Sequence, residues 1–222
     1  MSNSNMPNVI VGMLSIHAVI TRSLEVAAER SGAFAQQGFP DASSREGFIS
    51  YLRCLASVLS THHETEDTLA FPAFRKRLDA PYDLLTEQHR LLHSLLEEAK
   101  AEVEKAAAEP NAAGPLTRLH FVLRRIEELW HRHIGIEEEH FTVDRFASLI
   151  PAEEHLQLSA LFMQHMQQHA GPDYLIVPFL LHNLVPDKRS IFAGQMPPII
   201  TEQLVPVVWK EKWAPMRPFL LA

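Results

Sequence analysis

The sequence predicts an all-α fold: an up-down-up-down four-helix bundle followed by one additional C-terminal helix and an apolar, Pro-rich tail. Three observations carry this expectation. Four long segments, roughly 7 to 31, 44 to 77, 81 to 109 and 115 to 147, repeat apolar residues with the 3.6-residue period of a helix. Gly and Pro, which interrupt helices, concentrate around and after these segments. The connections are short, which sets successive helices side by side and antiparallel.

Each element has its own signals. The first helix opens at Pro7, tolerated in a first turn because its missing N–H has no intrahelical partner there, and aligns Ile10, Leu14, His17, Thr21 and Leu24. Gly32 and Gly38 mark its connection to the second helix, which Ser43 and Ser44 introduce. That helix runs Leu52, Leu55, Leu59, His62, Glu66 and Leu69 along one line, with His63 and Asp67 on the face of Ala56, Ser60 and Ala70. The third starts at Pro81 and aligns Leu85, His89, Leu92 or His93, Leu96 and Val103. The fourth follows Gly114 and Pro115 and aligns Leu119, Val122, Ile126, Leu129, His133, Glu137 and His140, whereas His131 falls with Arg124, Glu128 and Glu138. A fifth helix from Pro151 to about residue 168 leads into the tail from Pro172 onward. The apolar run Tyr174 to Leu181 and the pair Trp209 and Trp213 are too apolar to leave in water, so the tail is expected to wrap the bundle or to bury itself in a homodimer. Residues 1–150 are thus assigned to the bundle and 151–222 to the extension.

Bulk properties exclude several classes of function. Lys and Arg number 20 against 27 Asp and Glu, and no basic run breaks this balance, which argues against nucleic acid or an anionic membrane as partner. The single Cys54 excludes an internal disulfide or a cysteine metal site and falls in the apolar run around Leu52 and Leu55, where it is expected to be core. No charged leader precedes an apolar one and no stretch shows the run of apolar residues a membrane span needs, so a cytoplasmic location is expected.

The chemistry lies in the histidines. The chain has 13, several of them four residues from another His or a carboxylate: His62 and Glu66, His63 and Asp67, His89 and His93, His133 and Glu137, His140 and Asp144, His165 and His169. Such spacing brings two side chains to one helix face about 6 Å apart along the axis, close enough to share a metal ion or an adjacent pair. A lone inward His is more often a hydrogen-bonded core residue. The helical register, however, selects His17, His62, His89, His93 and His133 together with Glu66 and Glu137, and at 1.5 Å rise per residue all seven fall in one layer of an antiparallel bundle. Two ionised carboxylates at core positions are expensive unless paired or metal-bound, and no inward Lys or Arg occupies this level. Imidazole with carboxylate suits iron, manganese or zinc; seven donors exceed what four-coordinate zinc requires and point to two octahedral iron ions first. His155, His165, His169 and His182 lie outside the layer and are read as surface or tail residues.

These residues resemble the hemerythrin-like (HHE cation-binding) proteins, over roughly residues 8 to 147. The resemblance is carried by Ser15-Ile16-His17, by His62-His63-Glu64-Thr65-Glu66 followed by Leu69-Ala70-Phe71-Pro72, by Glu87-Gln88-His89-Arg90-Leu91-Leu92-His93, and by His133-Ile134-Gly135-Ile136-Glu137-Glu138-Glu139. It implies a four-helix bundle around a non-haem di-iron centre with a bridging oxygen. His89, His93 and His133 would hold one iron, His17 and His62 the other, and Glu66 and Glu137 would bridge. Oxygen-carrying hemerythrins place an Asp five residues beyond the last His, whereas this chain has Glu137 four residues beyond His133, a pattern more like the wider HHE group. Two octahedral ions offer about 12 positions, of which the protein donors and a bridging oxygen leave about one open. By the resemblance it lies on the ion held by His17 and His62, facing Met13, Leu14, Thr21 and Leu59, and would accept dioxygen, peroxide or nitric oxide. A di-iron protein responding to dioxygen, iron or redox state is therefore the leading expectation. The alternatives are an enzyme turning over peroxide, with His140 as partner or proton donor to the bound oxidant, and a helical interaction module whose metal is structural.

Overall fold

A computed structural model of the chain describes residues 8–222, so the expected start at Pro7 lies outside the described residues. Among those residues the chain is helical throughout, without strands. The first helix, α1 (Val9–Gln37), begins where the Asn8 side chain accepts the Ile10 N–H at 3.0 Å. It runs through Gly32 and stops at Gly38, whose φ of 76° is the left-handed conformation that glycine adopts without strain. The next helix, α2 (Ala42–Thr65), is capped by Asp41, whose carboxylate accepts the Ser44 N–H at 2.6 Å, rather than by Ser43 or Ser44.

The expected continuous helix to residue 77 is interrupted. A π-helical turn at Glu66–Ala70, in which the Phe71 N–H reaches back to the Glu66 carbonyl, separates α2 from the short α3 (Phe71–Phe74). Pro72 supplies the reason: it has no N–H to donate, and its ring crowds the carbonyl four residues earlier, so the ladder widens just before it. Helix α4 spans Tyr82–Ala108 and α5 spans Ala113–His140. The expected extension of α5 to residue 147 fails at the buried Phe141, after which Thr142 caps a separate α6 (Val143–Leu149). Pro151 precedes α7 (Ala152–His169).

The four long helices form a ring in which α1 touches α2 and α5, and α4 touches α2 and α5. Contacts fix how they run. Along α1, His17, Thr21 and Ala28 meet Glu138, Trp130 and His120 of α5, and along α4, His89, Glu98 and Glu102 meet His133, Arg125 and Arg118. By length and composition α1 could cross a membrane, contrary to the expectation that no segment would; here half of its most apolar stretch is buried, against α5 and the rest of the ring. Cys54 is buried, as expected.

The tail is not an irregular wrap but a run of short helices: α8 (Asp173–His182), α9 (Pro186–Ala193), a π-helical stretch Ile200–Val208, α10 (Lys210–Trp213) and a 3-10 turn Ala214–Phe219. Phe179, Leu181, Trp213, Met216 and Phe219 share one buried cluster with Tyr51, Leu55 and Leu59 of α2. Polar contacts secure the junction: Tyr51 Oη donates to Asn183 Oδ1 at 2.9 Å, Arg22 donates to the same oxygen and to the Phe219 carbonyl, and the Leu221 N–H donates to the His182 carbonyl at 2.7 Å. His155, expected at the surface, is instead buried, with Nδ1 accepting the Val9 N–H at 3.3 Å, so that it ties α7 to the start of α1.

At Gly47 the C-terminal 3-10 turn comes so close that an added Cβ would stand 1.8 Å from the Pro215 carbonyl oxygen. A backbone cannot swing away as a side chain can. Gly47→Ala is therefore expected to lower stability by about 1–3 kcal/mol despite alanine's better helix propensity. Gly135→Ala, at an exposed helical position where nothing lies within 4 Å, should be neutral or stabilising. Urea unfolding of the two variants checks the contrast; equal midpoints would contradict the tight seat of the C-terminal turn.

Candidate metal centre

Two apolar clusters divide the bundle, one around Leu59, Leu92 and Ile126 and the other around Ile10, Phe71, Leu85 and Phe141. Between them lies a polar layer. His17 of α1, His62 and His63 of α2, Glu66 at the π-helical turn, His89 of α4, and His133 and Glu137 of α5 are all buried there. Trp130 closes the layer on one side, with its ring within 6.0 Å of His17, His62, His63 and His133, and it is held by a 2.9 Å bond from Nε1 to Thr21 Oγ1. Phe71 closes the other side, stacked on His89 at 5.5 Å.

The side chains form two overlapping groups of donors. His17, His62, Glu66 and Glu137 make one, and His63, Glu66, His89 and His133 the other. Each carboxylate reaches toward both. Glu66 Oε1 lies 3.3 Å from His62 Nε2 and 3.9 Å from His17 Nε2, while its Oε2 lies 3.4 Å from His89 Nε2. Glu137 Oε2 lies 3.1 Å from His17 Nε2, and its Oε1 lies 3.4 Å from His133 Nε2.

The outer ring nitrogens are held from behind. His17 Nδ1 bonds Glu138 Oε1 at 3.1 Å, His133 Nδ1 bonds Gln88 Oε1 at 3.1 Å, and His89 Nδ1 lies 3.0 Å from Asp67 Oδ1, to which Thr86 also donates. This is how imidazole ligands are usually oriented: an acceptor behind Nδ1 fixes the ring and aims the Nε2 lone pair inward.

Protonation follows from burial and neighbours. Burial drives His62 and His133 down to about 3, and His63 well below its usual range, so all three are neutral donors. Burial opposes charge on His89 too, but Asp67 and Glu66 lift it to about 9. His17 is likewise lifted well above its ordinary value, against burial, by Glu137, Glu138 and Glu66. Burial, joined by the charge of Glu66, pushes Glu137 up to about 7. Burial opposes charge on Glu66 as well, but His62, His17 and His89 together outweigh it and hold the carboxyl well below its usual range. Without a cation, then, the protons on His17 and His89 balance the carboxylates, and His89 can donate Nε2–H to His133 Nε2 at 3.0 Å.

The donor set fits a metal cation. His62 Nε2, His63 Nε2 and all four carboxylate oxygens of Glu66 and Glu137 are buried without a hydrogen bond of proper geometry. Such atoms are costly unless something else satisfies them. Every ion-pair partner of Glu66 and Glu137 among the described residues is an imidazole, never Lys or Arg.

Not every expected residue arrives. His93 is exposed on α4, because the register that buries Leu85, His89, Leu92 and Leu96 turns position 93 to solvent. His63 stands in the layer instead, stacked on His89 at 4.2 Å. Sequence periodicity set His63 aside as belonging to the wrong face, but α2 is buried on most sides, and at this level both His62 and His63 point into the ring, with only Glu64 exposed beside them. His140 bonds the Ile136 carbonyl one turn back on its own helix and makes no contact with the layer. The acceptors Asp67, Gln88 and Glu138 were also not foreseen; each lies next to a candidate ligand, and that adjacency was the available signal.

A layer of buried imidazoles and carboxylates across a ring of helices defines a helical protein able to hold metal cations. The chain belongs to the hemerythrin HHE cation-binding domain family, whose model matches residues 12–143, more than half of its length. No curated protein and no solved structure matches the chain.

Uptake of a divalent cation requires the Nε2 lone pairs of His17 and His89, so their protons must leave. Because His89 holds its proton to about 9 and Glu137 to about 7, affinity should rise with pH between about 6 and 9, with protons released on binding. Chelator competition at several pH values, with an indicator dye following the protons, checks this. Affinity that does not change across that window would contradict the proton inventory.

Proposed function

We propose that the chain is a non-haem di-iron protein of hemerythrin type that binds or responds to dioxygen. The observation that supports this most strongly is the pair of donor groups sharing Glu66, with Glu137 also placed between them. On this reading the four long helices form an up-down-up-down bundle, His63, His89 and His133 hold one ion, His17 and His62 hold the other, and the two glutamates bridge. Six of these residues were expected from sequence; His63 takes the position assigned to His93. Five imidazoles and two carboxylates are more than two four-coordinate zinc ions require, and the mixture of imidazole and carboxylate suits iron.

Bound iron would supply one-electron chemistry toward small oxidants. What the chain itself supplies is orientation, exclusion of water and proton control. Trp130 and Phe71 keep the layer dry, Glu138, Gln88 and Asp67 hold the rings, and Glu137, pushed up to about 7, can take or give a proton at neutral pH. The His17 and His62 side has one imidazole fewer, which leaves room there for a small ligand.

Anaerobic loading should give two iron ions per chain, and admission of oxygen should change the near-ultraviolet absorption; protein that takes up no iron, or whose spectrum ignores oxygen, would refute the proposal. The ligand assignment has its own test. His63→Ala should lower the iron content from two toward one per chain, whereas His93→Ala, at an exposed position, should leave it unchanged. The reverse pattern would restore His93 to the centre.

A further inference from the structure

The family match ends at residue 143, yet the fold places much of the later chain against the metal layer. A cavity of about 190 Å³ lies between α1 and α2 on one side and α7, α8, α9 and the segment after α9 on the other. His62 and Glu66 line its inner end, Ile16 lines one wall, and Met166, Val177 and Met196 come from the extension. Its surface is mostly apolar, with Thr65, Ser159, Gln167, Asp173 and Gln195 as further polar residues in the lining. His62 Nε2 and both Glu66 oxygens are fully buried behind this lining, within the layer, and have no hydrogen bond of proper geometry.

Size discriminates between occupants. A dry protein cavity of about 150 Å³ takes up a benzene molecule, so this one is far larger than a diatomic gas needs. A second observation concerns Gly12. It sits inside α1 and lines the cavity, and a Cβ added there would meet nothing within 4 Å. Glycine inside a helix costs roughly 0.5–1 kcal/mol relative to alanine, and here no neighbour requires its smallness. What it preserves is open space. The methionines add a lining that can adjust to different apolar shapes.

We propose that this cavity binds a small, mainly apolar organic molecule carrying one oxygen donor, such as a phenol or a short aliphatic alcohol or carboxylate, with its oxygen toward the ion held by His17 and His62. The proposal rests on the di-iron reading for the direction of the oxygen, and on the cavity alone for binding. The extension thus turns one side of the centre into an organic-ligand site.

Titration calorimetry with 4-alkylphenols tests it on the full chain, metal-free and iron-loaded, with metal content measured on the same samples. Saturable binding is expected in both forms, tightening about fourfold per added methylene until the cavity is full. The iron-loaded form, brought to the ferric state with an added chemical oxidant, should also develop a visible phenolate-to-iron absorption band. Gly12→Leu, which projects into the cavity while improving helix propensity, and Val177→Trp, at a half-buried position of the wall, should each weaken binding about tenfold or more while iron content is unchanged. Phe121→Ser, at an exposed apolar residue outside the cavity, should bind as the unaltered protein does.

Absence of saturable binding, or affinity in both cavity variants equal to that of the unaltered protein, overturns the proposal and leaves a passage for gases only. Binding to iron-loaded protein without the visible band overturns the orientation of the oxygen. Protein that takes up no iron but binds phenols keeps the pocket and refutes the di-iron reading instead.

Discussion

Two carboxylates buried in the middle of a helical bundle constrain everything around them. Glu66 and Glu137 lie at the boundary between two apolar clusters, and among the described residues neither forms an ion pair with Lys or Arg. An uncompensated charge in such a place would cost several kcal/mol, a large part of the net stability of an ordinary domain. The chain answers with imidazoles from each of the four long helices, of which His17 and His89 carry protons when no cation is present, and all of which can offer lone pairs when one is. The bundle is therefore held at this level by charge as well as by packing, and the aromatic walls of Trp130 and Phe71 keep water from screening that charge.

Much of this was legible in sequence because helices repeat. Periodicity located the four long helices to within a few residues at most ends, and the heights of His17, His62, Glu66, His89, His133 and Glu137 along antiparallel helices placed them in one layer. The method failed where its premise failed. Choosing between His62 and His63 assumes that only one narrow stripe of a helix faces inward, but at this level α2 turns two adjacent positions inward, His62 toward His17 and His63 toward His89 and His133. Both imidazoles therefore reach the layer, and a single apolar line cannot show it. The choice between Leu92 and His93 was a different error: the apolar line itself allowed Leu92, and pairing His89 with His93 gave weight to spacing over hydrophobicity.

The break at Glu66 shows how a local rule serves the site. Pro72 forces the ladder open, and the resulting π-helical turn begins at the very residue whose two oxygens face different imidazoles. A regular helix through this point would advance each following residue by a further part of a turn relative to the π-helical path, so Phe71, which stacks on His89, would no longer face the layer. The same turn leaves Asp67 free to sit behind His89 Nδ1. A single proline thus helps set a carboxylate, a ring-holding acceptor and an aromatic wall together.

The extension after residue 150 alters what the centre can meet. In a bare four-helix ring the flank between α1 and α2 would face water, and the inner ends of His62 and Glu66 would lie near it. Here α7 and the short helices after it cover that flank, join the main apolar cluster through Phe179, Leu181, Trp213 and Phe219, and yet leave an apolar space beside His62 and Glu66 rather than filling it. Packing that is dense at residues 179–219 but open beside Gly12, Met166 and Met196 is not what maximal burial alone would select, since each unfilled volume forfeits contacts. The C-terminal chain stabilises the bundle through α2 while it shapes the approach to the layer through α7 and α8, and Ile176 and Leu180 serve both roles. Changes at wall positions outside the apolar cluster, such as Gly12 and Met163, can alter what reaches the centre without loosening the fold that holds the layer in place.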